Sequence, residues 1–170
     1  MKSWRAAGTP RPSRWRWVRY AALLTGLCAI ATCPSAKRAC TANTRAQEAE
    51  SLLTYLADRI SLATAATGKL PELPAGPTPR PSCCEQGGAC SPDPTVWSEP
   101  AWRALEFSID DEYRYTYQYI PDLKTQSATL RAIGDLDCDG ETSLYELKLT
   151  RDPANPQALV RTWTRKQPLE

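Results

Sequence analysis

One hundred and seventy residues make one domain, or one small domain behind a targeting segment, too few for a multidomain enzyme. Histidine is absent, which removes imidazole bases, histidine-dependent nucleophiles and every histidine metal site. The net charge of +2 hides an asymmetry: Lys2, Arg5, Arg11, Arg14, Arg16 and Arg19 open the chain, and setting those six apart leaves 15 basic against 19 acidic groups, a net of −4. A body of that sign repels polyanions, so no nucleic-acid partner is expected.

The basic start runs into an apolar stretch, Tyr20 to Thr32. As a helix it would rise only about 20 Å, short of a hydrocarbon core of about 30 Å. Basic flank, short apolar run and the small-residue triplet Ala29-Ile30-Ala31 together match an export signal. Ile30-Ala31-Thr32-Cys33 also approximates a lipid-attachment site. Residues 1–36 are therefore expected to be an export signal or membrane anchor, with cleavage, lipidation and retention all open. Residues 37–170 are expected to be the globular domain, in the cell envelope or secreted.

Its first element is a helix over about 44–67, with Ala49, Leu52, Leu53, Leu56, Ile60 and Ala63 recurring on one face. Thr44-Arg45-Ala46-Gln47 can form a capping box, and Gly68 with Pro71 supplies the stop. Such a stripe is a packing face.

Residues 68–111 form a long Pro- and Cys-rich excursion, of the kind kept only when pinned or functional. Prolines at 71, 74, 77, 79 and 81 are expected to interrupt any ladder. Cys83, Cys84, Cys90 and Cys138 suit disulfide staples in an oxidising compartment. Neighbouring Cys83 and Cys84 do not bond each other without strain. Two pairings remain: 83–90 with 84–138, or 84–90 with 83–138. Zinc would want regular spacings and histidine, and has neither.

From Glu112 the period changes to two. Tyr113, Tyr115, Tyr117 and Tyr119 fall on one strand face, expected to pack under the helix. Further strands are expected over about 127–134, 144–150 and 158–164, giving an antiparallel meander over 112–164. The class is α+β: a long N-terminal helix on a three- to four-stranded sheet.

One motif carries sharp chemistry. Asp135, Asp137 and Asp139 stand at loop positions one, three and five, with Gly140 at six for the sharp turn. Glu141 would offer its backbone carbonyl, Ser143 a hydroxyl or bridging water, and Glu146 the twelfth-position carboxylate, the spacing of a helix-loop-helix calcium loop. The flanks read as strands, so a structural calcium ion is expected rather than a sensor. The alternative is an acidic hairpin turn without metal. Three aspartates in five residues repel one another, and a cation offsets that cost.

The segments Ser82-Cys-Cys-Glu-Gln-Gly-Gly-Ala-Cys90, Trp97, Trp102 through Asp111, the tyrosine strand and Gly134-Asp-Leu-Asp-Cys-Asp-Gly140 resemble those of bacterial type IV pilin-like proteins. The resemblance covers about residues 44–150. It implies a long N-terminal helix on an antiparallel sheet with a variable loop between them. Arg45-Ala-Gln-Glu-Ala-Glu50 is similar to the polar stretch where such helices leave the membrane, and Pro34 sits where they kink. The N-terminus differs: residues 13–32 hold no Gly-Phe junction and no acid. The expected function is a non-enzymatic, exported pilin-like envelope protein with a structural calcium loop, its partners other pilin-like subunits or envelope proteins, and the membrane if the N-terminal segment is retained. The alternative is a secreted or lipid-anchored calcium-binding adhesion module outside any filament.

Overall fold

The computed structural model describes residues 34–167. The export segment expected over residues 1–36 thus falls almost wholly outside the described residues, as do Cys28 and Cys33. The chain divides into Met1–Cys40 and Thr41–Glu170; of the first unit only the helical residues from Pro34 are described. Among the described residues no helix is long and apolar enough to cross a membrane.

Helix α1 spans Pro34–Thr67. Thr44 to Gln47 is therefore no cap, because the helix already runs through it. Proline at its first position loses nothing, since that N–H has no intrahelical acceptor. The C-terminus closes as the residues dictate: Gly68 takes φ +74° and its N–H donates to the Thr64 carbonyl at 2.8 Å. The buried face is Ala49, Leu53, Leu56, Ala57, Ile60 and Thr64, all fully covered, while Leu52 packs at its margin.

The sheet overturns the expected plan of three or four strands. It has five, all antiparallel, in the order β1 (Ala75–Thr78), β2 (Thr116–Asp122), β3 (Ser127–Gly134), β4 (Ser143–Arg151) and β5 (Leu159–Lys166). The added strand comes from the proline-rich excursion, which was expected to pair with nothing. Pairing is possible because β1 lies at the sheet edge, where Pro77 removes no needed donor. It also needs glycine at 76: φ is +79°, and a Cβ there would stand 2.2 Å from the Tyr117 carbonyl oxygen. Strand β2 begins at Thr116, later than the tyrosine pattern reads. Tyr113 instead makes a separate bridge to Cys90.

All four tyrosines face inward nonetheless, each 0–1 % exposed. They share one core with the helix stripe and with Leu130, Tyr145, Leu147 and Leu149. The Tyr115 and Tyr145 rings meet edge to face at 5.8 Å, and Gly134 makes room for them, since a Cβ there would lie 2.7 Å from the Tyr115 ring. Trp97 sits among Trp102, Phe107 and Tyr113 at centroid distances of 5.3–5.7 Å. Trp102, on the short helix α2 (Pro100–Ala104), donates its indole N–H to Thr78 Oγ1 at 2.8 Å. That bond fastens the returning excursion to β1.

Candidate functional site in the aspartate turn

The turn between β3 and β4 is built from its neck outward. Gly134 and Ser143 are opposed across the ladder, and Ser143 Oγ donates to the Gly134 carbonyl at 3.0 Å. Leu136 turns inward and is buried, anchoring the first arm. From helix α1, Arg45 Nη1 donates to the Leu136 carbonyl at 2.7 Å. Cys138 and Gly140 take φ +63° and +97°, the left-handed conformations that reverse the chain.

Asp135 organises the apex. Its two carboxylate oxygens accept from the backbone N–H groups of Asp139 and Gly140 at 3.1 and 3.0 Å. Asp139 in turn accepts from the Glu141 N–H at 2.8 Å. The result brings carboxylate oxygens of Asp135, Asp137 and Asp139 within 4.8 Å of one another. Asp135 is half-buried; Asp137 and Asp139 are exposed. Among the described residues no cationic side chain forms an ion pair with any of the three. Three like charges this close, two of them held by backbone N–H groups, favour a hard cation with oxygen ligands.

Of the other residues of the expected ligand set, the Ser143 and Glu146 side chains have other partners. Glu141, expected to offer its backbone carbonyl, is exposed, and its side-chain carboxylate accepts from Gln167 Nε2 at 3.4 Å. Ser143 is buried and engaged at the hairpin neck. Glu146 lies on the outer sheet face opposite Arg131, with a charge-assisted bond of 2.8 Å. The cause is the exit element. A helix after the loop curls position twelve back toward the ion, whereas a strand carries it away by about 3.3 Å per residue.

The cysteines are joined as Cys83–Cys90 and Cys84–Cys138. The second bond ties the excursion to the middle of the turn, so Cys138 is a mechanical fixture between Asp137 and Asp139. Cys84 and Cys138 approach Asp135 closely, but as disulfide sulfurs they are not thiolate ligands.

Two features went unseen in the sequence. Arg45 and Glu48 read there as one polar stretch, yet each has a specific long-range partner. Glu48 accepts from the Arg114 N–H at 2.7 Å and faces its guanidinium at 3.4 Å. Burial raises the Glu48 carboxyl above the ordinary glutamate range, against the lowering effect of Arg114. Nothing in a single sequence pairs residues 66 positions apart. The other feature is a cleft of about 430 Å³ between β1 and the turn before α2, lined by Pro77, Thr78, Arg80, Val96 and Glu99.

The disulfides are of the kind that persist in oxidising, extracytoplasmic compartments. No protein-family model, curated protein or solved structure matches this chain.

Proposed function

We propose that the chain is a non-enzymatic, exported envelope protein, an interaction module whose aspartate turn is held by a structural calcium ion. The observation that carries this reading is the convergence of Asp135, Asp137 and Asp139 within 4.8 Å on a turn pinned by Cys84–Cys138. A chain without histidine, with two disulfides among its described residues, also fits an extracytoplasmic scaffold better than a catalyst. Extracellular calcium modules work at about 10⁻⁴–10⁻³ M, a range that a three-carboxylate site on an exposed turn suits. Binding only the folded state adds stability by mass action, about 2.7 kcal/mol at a hundredfold excess over Kd. Millimolar calcium should therefore raise the melting temperature, and Asp137→Ala should abolish the rise. A melting curve indifferent to both calcium and chelator would sink the reading.

A second reading, a subunit of a pilin-like assembly, is favoured by one observation: α1 begins at Pro34, ahead of the compact unit that starts at Thr41. Mass mapping of the mature N-terminus separates the two. A retained apolar segment favours the assembly, and a chain starting near Thr32 or Cys33 favours the free module.

A further inference from the structure

The two edges of the sheet are built differently. At one edge β1 is four residues long, contains Pro77 and shifts register between Ala75 and Thr78. Short length, a proline and an irregularity are the devices by which natural sheets stop another strand from adding. At the other edge β5 has none of them. Its eight residues pair with β4 in an unbroken register from Arg151–Leu159 to Leu144–Lys166, without proline or bulge. Val160, Thr162, Trp163 and Thr164 are strand-forming types. Among the described residues nothing pairs with its far side, and most of the strand is exposed.

Cations are the one protective device present. Arg161, Arg165 and Lys166 lie on β5, and residues 159–167 contain no acid. Arg161 and Arg165 oppose Leu149 and Tyr145 and so face the helix side, where they reach Asp58 and Glu50 at 2.6 and 2.7 Å. Those pairs are well exposed and bind weakly enough to be exchanged. Lys166 forms no ion pair among the described residues.

This arrangement discriminates between occupants. In a two-fold pairing of two copies centred on Trp163, Arg161 of one copy stands opposite Arg165 of the other, twice over. Like charges directly opposite destabilise a strand pair. An acidic strand meets the same cations as partners. We propose that β5 is an addition edge that accepts an extended, acidic segment of another protein as a sixth strand. Main-chain hydrogen bonds supply the attraction and the alternating cations supply the choice. Trp163, with the Arg165 guanidinium 5.1 Å from its ring centre, offers an apolar contact at the middle of the edge. The inference stands whether or not the aspartate turn holds calcium.

The test uses the oxidised, full chain and the peptide acetyl-Thr-Glu-Val-Glu-Val-Glu-Thr-amide, with a counterpart carrying lysine for each glutamate. Amide NMR shifts on titration should concentrate in 159–166, with the acidic peptide binding at least about tenfold more tightly than the basic one. Arg161→Glu with Arg165→Glu, an exposed pair of changes, should reverse that preference while the melting transition persists. Equal response to both peptides, shifts centred away from β5, or no shift at millimolar peptide would overturn the proposal. A dimer of the free protein that protects β5 amides would overturn it as well, by making a second copy the occupant.

Discussion

Arg45 on the helix and Leu136 in the aspartate turn are joined by a 2.7 Å hydrogen bond across 91 positions of sequence. The helix thus holds the second position of the turn directly, independently of the disulfide that holds the fourth. A charged donor to a part-buried carbonyl is worth about 1.5–3 kcal/mol. Arg45→Ala should lower the denaturation midpoint by that order with an unchanged m value, and Arg45→Lys should recover part of it.

The aspartates have separable duties. Asp135 caps two backbone N–H groups, whereas the Asp137 side chain makes no hydrogen bond or ion pair among the described residues. In chelator, Asp135→Ala should cost about 1–2 kcal/mol while Asp137→Ala should be neutral or slightly stabilising through relief of repulsion. Equal losses measured by denaturation in chelator would contradict this division.

The two disulfides close loops of very different length, 7 and 54 residues. Chain-entropy scaling assigns about 2 kcal/mol to the shorter and about 4 kcal/mol to the longer. Cys84→Ser with Cys138→Ser should therefore lower the melting temperature more than Cys83→Ser with Cys90→Ser. The opposite order in calorimetry would show that strain or residual structure outweighs loop closure.

Tyrosine hydroxyls in the core differ in partnership. Tyr119 donates to the Pro71 carbonyl at 2.7 Å, while the buried hydroxyl of Tyr117 has no partner among the described residues. Tyr119→Phe should cost about 0.5–1.5 kcal/mol and Tyr117→Phe should be neutral or stabilising. Tyr117→Ala should cost about 3–5 kcal/mol, as large aromatic truncations do. Chemical denaturation of the three variants checks the order.

Glu48 gives stability a pH dependence of unusual sign. Burial raises its folded pKa above the ordinary glutamate value. Between that value and the raised one the folded state binds more protons than the unfolded, so stability falls as pH rises through the window. Glu48→Gln keeps an acceptor for the Arg114 N–H and should flatten the slope there. A slope identical in wild type and variant would assign it to other groups.

What the sequence made legible was whatever rests on local period. The tyrosine alternation and the helix stripe name the two surfaces that pack, because side-chain direction follows from φ and ψ alone. The acidic turn is legible for the same reason, its three aspartates lying within five residues. Strand β1 was not, since Ala75, Gly76 and Pro77 are all poor strand formers and the strand exists through its pairing with Tyr117 and Tyr119 some 40 residues on. The pairing of Glu146 with Arg131 was not legible because the loop register assumes a helical exit. Thr44 was read as a cap because a good capping sequence says nothing about whether the chain before it is already helical.

The bond between Cys84 and Cys138 changes how the protein would bear load. A chain pulled from its two ends can pay out only the residues outside that bridge. Strands β2 and β3 lie inside it, so roughly 180 Å of contour, at about 3.4 Å per residue, stays locked while the disulfide holds. Under tension the molecule is a short tether with an incompressible reserve. Reduction of that one bond, with Cys83–Cys90 intact, would release about 160 Å of the reserve at once, as a single added step in extension.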